Sequence, residues 1–379
     1  MISPALPLAT GYKVNPLETP SQTVTGTALA LFLYDLAEEI QLEELRQRLG
    51  AQTVQKGVAK HPAPEYVGFE HPPVVEYLSK VCSFGQVSLD VQFKYYDYGV
   101  VSVMFELPFS DTWDGLVQLA GKWMFESDLE GKALDVVRQR IEPARPALIR
   151  PYTQWLSEDY YIFHLREMVG NPTASELLSR HGTQIAMVVR GETADLADAE
   201  KAEVLQSSLS YYPTDLVVVG WNGALIYDTP AGARAAIQIL EYANSQLLEF
   251  RHYDELLTRE LNNVYRSLKR RTGLRAKWRL ASEASRLEAT TVEVTELVER
   301  TDNAIKFLSD MFAARLYRLA ASKVGVPDYK NLVKQKLQTA EELYRYMTEE
   351  FHQGRTFLLE LMVVIILVIE LFYLFRGKG

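Results

Sequence analysis

The hydrophobic pattern of the chain changes character once, near Thr229. Before that point apolar residues arrive in short dense runs: TALALFLYDL (27–36), QVSLDVQFKYYDYGVVSVMFEL (86–107), DYYIFHL (159–165) and DLVVVGWNGALIYDT (215–229). Their β-branched and aromatic content predicts strands. Turn formers from Asp97 to Gly99 divide the second run in two, and Asn222 with Gly223 divides the last, because that dipeptide tolerates the positive φ of a tight hairpin. Helical spacing lies between the runs, in EEIQLEELRQRLG (38–50), which ends on a glycine, and over residues 175–189 and 195–207. Residues 24–229 are thus expected to form an α+β domain with a largely antiparallel sheet, behind a flexible Pro-, Thr- and Ser-rich arm over residues 1–23.

After Thr229 the strand signals stop. Ile237, Leu240, Leu248, Tyr253, Leu257, Leu261 and Tyr265 recur near helical spacing along residues 231–271. A second helix is predicted over 277–322, where Val294, Val298, Ile305, Leu308, Phe312, Leu316 and Leu319 fall mostly at alternating steps of four and three, the seam of a coiled coil. VGVPDYK (324–330) breaks that helix, and Val333, Leu337, Ala340, Tyr344, Met347 and Phe351 then resume the alternation. Residues 230–355 are expected to be a long antiparallel coiled-coil helical hairpin, each arm reaching roughly 60–70 Å. A compact helical bundle is the alternative.

The last run, FLLELMVVIILVIELFYLF, occupies residues 357–375, and its nine residues from Leu361 to Ile369 carry no polar side chain. A helix of that run would span ~28 Å against a hydrocarbon thickness of about 30 Å, so residues 356–376 are expected to be a transmembrane anchor, flanked by Arg376 and Lys378. Glu370 would then lie near the bilayer midplane, at a cost of about 2.5–3.5 kcal/mol. It is expected to be protonated, or to contact a polar partner inside the membrane on the helix of another chain, which would make the protein a homo-oligomer. The N-terminal residues resemble neither a secretory signal nor a transit peptide. The expected layout is therefore tail-anchored and single-pass in the inner (cytoplasmic) membrane, with the bulk of the chain on the cytoplasmic side.

Composition narrows the chemistry. A net charge of −9 disfavours a protein that coats nucleic acid over its whole surface, which makes one local excess of cations more telling. YRSLKRRTGLRAKWR (265–279) holds Arg266, Lys269, Arg270, Arg271, Arg275, Lys277 and Arg279 with no acid among them. Such a cluster fits phosphates of RNA or of lipid headgroups, with Trp278 available for stacking; a solvated junction between helices accounts for it as well. Cys82, the only cysteine, excludes an intrachain disulfide framework and a cysteine zinc cluster. His61, His71, His164, His181, His252 and His352 show no paired metal-ligand spacing. GLVQLAGKW (115–123) misses the phosphate-loop spacing by one residue and has Trp123 where a Ser or Thr would hold magnesium. No catalysis, cofactor or metal is expected, and an enzyme pocket near His164 or His181 is the least favoured alternative.

Several stretches together resemble a known family. YYDYGVV (95–101), SYYPTDLVVVGWNGALIYD (210–228), LEYANSQLLEFRHYDELL (240–257) and LELMVVIILVIELF (359–372) look like the Required-for-Meiotic-Nuclear-Division family, a domain of unknown function, and in particular a bacterial branch of it. The resemblance implies a membrane-anchored, oligomer-forming protein without known catalysis. Eukaryotic members sit in the mitochondrial inner membrane and support mitochondrial translation by holding ribosomes near the membrane; the N-terminus here departs from them in having no transit peptide. The expected function is structural or tethering, with an α+β head, a coiled-coil stalk and an anchor. Binding of RNA or a ribosome at the membrane through residues 266–279 is the second expectation.

Overall fold

Strand β1 (Thr23–Ile40) is the axis of the structure. The computed structural model describes residues 23–50, 67–69, 71–269, 274–303, 305–307 and 311–376. After β1 come α1 (Leu42–Leu49), β2 (Val67–Phe69), β3 (Val74–Phe84), β4 (Val87–Tyr95), β5 (Val100–Thr112) and α2 (Trp113–Gly121), which runs into a π turn (Lys122–Glu126). They are followed by α3 (Leu129–Ala144), β6 (Leu148–Met168), α4 (Ala174–Arg190), α5 (Asp198–Gln206), β7 (Ser208–Leu209), β8 (Leu216–Val219) and β9 (Gly223–Tyr227). The chain closes with α6 (Pro230–Lys269), α7 (Leu274–Asn303), β10 (Ile305–Phe307), α8 (Met311–Val324) and α9 (Val326–Arg376).

Eight strands form one sheet in the order β3-β4-β5-β1-β6-β9-β8-β7. β6 and β9 run parallel while the other described pairs are antiparallel, so the sheet expected to be largely antiparallel is a mixed one. The parallel pair needs a crossover, and α4, α5 and the β7–β8 turn supply it. Along β1, Ala28, Ala30, Phe32, Tyr34 and Leu36 face the core shared with α1–α5, and Leu29, Leu31 and Leu33 face the core shared with α6–α9. Helices cover both faces, which is why this strand reads as a continuous apolar run instead of an alternation. Gly99 turns β4 into β5 at φ +94°, and a Cβ there would stand 1.7 Å from the Ala37 carbonyl oxygen.

The helical half departs from the hairpin. α7 ends at Asn303, and Ile305–Phe307 leaves the helix to pair antiparallel with Val67–Phe69, so the helix predicted over 277–322 is two helices with a strand between them. Val294 of α7, Leu316 and Val324 of α8, and Val326 and Val333 of α9 share one core with α6 and with Leu31 of β1. The four-and-three seams face several helices and a sheet, not a single partner arm.

The structure also departs from the expected membrane anchor. Among the described residues no helix is long and apolar enough to cross a membrane. The uninterrupted apolar stretch is Leu361–Ile369, bracketed by Glu360 and Glu370, and nine helical residues cover only ~14 Å. The tail-anchored, single-pass inner-membrane layout is therefore not supported, and neither is Glu370 as a contact inside a bilayer; its side chain is exposed on α9.

Candidate functional site

The polar chemistry of the molecule gathers beneath α6. Every residue of α6 from Ile239 to Phe250 is buried, although five of them are polar. Lys94 Nζ of β4 forms an ion pair with Glu241, with 8 % and 1 % of the two side chains exposed, and Ser102 Oγ of β5 donates to the same carboxylate. Tyr98 OH meets Ser245 Oγ at 2.9 Å, and Gln246 Nε2 donates to Tyr242 OH at 2.8 Å. Tyr317 OH of α8 donates to Gln246 Oε1, and Tyr253 OH to Glu249. A buried group that loses its partner is expensive, so this network fixes one rotation and one axial position of α6 on the sheet.

Toward the β1–β6 bulge the network becomes acidic. Asp35, 1 % exposed, lies with Oδ2 2.8 Å from His252 Nδ1, at ion-pair distance but outside the angles of an aligned hydrogen bond. Burial holds the Asp35 carboxyl well above the usual carboxylate range and pushes the His252 imidazole down. Tyr152 stacks on the His252 ring with centroids 4.4 Å apart. Beside them Arg150 bridges two elements, reaching Glu38 Oε2 of β1 at 2.7 Å and Glu293 Oε1 of α7 at 2.9 Å. Burial, and then a hydrogen bond with Glu293, push Glu38 up to about 7. Among the described residues no group of three or more His, Cys, Asp or Glu is arranged to hold a metal ion.

The basic cluster lies at the far end of the helical layer. Arg266 and Lys269 occupy the last turn of α6 and, with Asn262, Tyr265 and Leu268, line an open groove of about 680 Å³. Arg266 Nη2 donates to Asn263 Oδ1 at 2.8 Å. Arg270 and Arg271 fall outside the described residues, and Arg275, Lys277, Trp278 and Arg279 fall in the first turns of α7, with side chains outside them too. Here Leu261 and Val264 of α6, Ala284 and Leu287 of α7, and Ala340 and Met347 of α9 close a small apolar core. α9 then runs on, and from Leu359 to Phe372 every side chain is exposed, the large apolar ones by 44–60 %. His164 and His181 are not brought together. His164 Nε2 of β6 lies 2.9 Å from the carbonyl oxygen of Asp228, just past β9, and His181 of α4 stacks on Trp113 of α2.

The family described as the N-terminal domain of the uncharacterized protein MJ0711 matches residues 25–234. The uncharacterized protein MJ0711 of Methanocaldococcus jannaschii is itself 19 % identical over 187 residues, 49 % of this chain and 57 % of that protein, so the chain spans a little over half of this relative. No solved structure matches the chain. These matches support a domain of unknown function and do not support the Required-for-Meiotic-Nuclear-Division family or its bacterial branch. The matched stretch runs from β1 to the first turn of α6 and covers more than half of the 379 residues, so the chain belongs to the MJ0711 N-terminal domain family.

Proposed function

We propose that this is a structural protein that assembles with copies of itself through the far end of α9, with the sheet and its two helical layers as the head. The exposure of Leu361–Ile369 carries this reading, because a helix that is apolar on all sides needs a cover. Continuity of the packing seam supports it. Val326, Val333, Ala340 and Met347 dock α9 on the head at intervals of seven, and the same register leads to Leu361 and Val368. The companion positions Leu337 and Tyr344 lead likewise to Ile365 and Phe372. A two-stranded pair would leave the outer faces of so apolar a helix bare, so about three or four copies fit best. Light scattering of the full chain is expected to give an oligomer mass and deletion of residues 356–379 a monomer. A full-length monomer, or an oligomer unaffected by the deletion, refutes the reading.

A second reading, binding of single-stranded RNA at the α6–α7 junction, is supported by the groove along Asn262–Lys269 and by the seven cations between Arg266 and Arg279. Replacing Arg266 and Lys269 by Ala is expected to weaken RNA binding and to reduce its salt slope by roughly 1.4. An unchanged slope speaks against it.

A further inference from the structure

We propose that Arg150, Glu38 and Glu293 form a latch between the sheet and α7 that a single proton closes. The inference is separate from self-assembly and concerns the head alone. Arg150 adopts a left-handed backbone, φ 46°, which side-chain-bearing residues take up rarely, next to the point where the pairing of β1 with β6 shifts between Asp35 and Ala37. The two features aim one guanidinium at both carboxyl groups, 2.7 Å from Glu38 and 2.9 Å from Glu293. Glu38 is the inner member, with 14 % of its side chain exposed against 32 % for Glu293 and 67 % for Arg150.

One cation cannot fully compensate two adjacent carboxylates. A proton on Glu38 removes one charge and lets the carboxyl donate to Glu293, so β1 and α7 are joined by a hydrogen bond as well as by Arg150. When the proton leaves, the two acids repel and the outer helix loosens. The groups facing Glu38 are Glu293 on α7, Arg150 and Tyr152 on β6 and His252 on α6; Asp35 of β1 and Glu249 of α6 act on the same Tyr152. Asp35 and His252 meet across β1 and α6, and burial moves both toward their neutral forms.

The direction follows from linkage. With α7 docked, Glu38 is raised to about 7; released into solvent, it returns toward its ordinary 4.5. Docking is thus strongest below about 4.5, weakens as pH rises toward 7 and is flat above, with a full swing on the order of 100-fold.

Amide hydrogen exchange of the full chain tests this along Glu283–Glu299, at pH 5.5 and 8, corrected for the intrinsic exchange rate. The native chain is expected to lose about tenfold or more of its protection at pH 8. Glu38→Gln, whose amide donates to Glu293 at any pH, is expected to keep α7 protected at both. Equal corrected protection in the native chain, or an undiminished pH effect in Glu38→Gln, overturns the latch. Should that variant fail to fold, a carbon-13 titration of Glu38 in the native chain decides: a midpoint near 7 supports the latch and one near 4.5 overturns it.

Discussion

Two helical stretches of similar length invert the usual relation between hydropathy and burial. Ile239–Phe250 of α6 contains Glu241, Asn244, Ser245, Gln246 and Glu249 and is buried on every side. Leu361–Leu371 of α9 is apolar except for Glu370 and is exposed on every side. α6 lies between the sheet and three other helices, where Lys94, Ser102, Tyr98 and Tyr317 take up its polar atoms. By Leu359, α9 has left that shelter. Position in the fold decides what is covered; side-chain character decides what the covering must supply. For α6 that is a matched set of donors and acceptors, and for α9 more apolar surface.

The comparison breaks most visibly at Lys94. Lys94→Met leaves Glu241 charged in the core, and the expected loss is about 3–5 kcal/mol by denaturant titration. A loss below about 1 kcal/mol would mean that α6 is held by apolar contact alone. Next in size is Asp35→Asn. Asp35 is raised by burial, so the folded chain keeps a proton that the unfolded chain gives up above its ordinary 3.8, and stability falls as pH rises from there through the folded value. Asparagine removes that slope, and between pH 4 and 8 the variant is expected to gain on the native chain by on the order of 1 kcal/mol or more; parallel pH curves would contradict it. The smallest effect on folding belongs to α9. Ile365→Gln is expected to change unfolding of the head by less than about 0.5 kcal/mol, since its side chain is exposed, while lowering the oligomer mass. A large stability loss would show that the exposed stretch is docked after all.

The local elements were legible and their partners were not. Asp97–Gly99 and Asn222–Gly223 announce the hairpins β4–β5 and β8–β9, since turn chemistry acts within a few residues. β1 is visible as an apolar run, but nothing near it signals that Leu29 stands opposite Ile162. Lys94 and Glu241 are 147 residues apart, and each alone looks like an ordinary surface charge; the one local hint is that both interrupt apolar surroundings. The break between α7 and α8 has no local signal, because Ile305 continues the heptad spacing and is drawn out of it by pairing with Phe69. The terminal run reaches the length of a membrane span only with Glu360 and Glu370 included, and between them Leu361–Ile369 has nine residues. Arg266 and Lys269 do line a common groove, which their i, i+3 spacing foreshadows.

The place of β1 in the sheet carries a consequence for biosynthesis. Among the described strands it is the first to be made, yet Leu31 pairs with Met104 on one side and Tyr160 on the other. Until β6 emerges, a newborn chain holds a long greasy ribbon with an open edge, for roughly ten seconds at typical ribosomal speed. Yield in the cell then depends on what shields that edge during translation, and slower elongation before Tyr160 would lengthen the hazard.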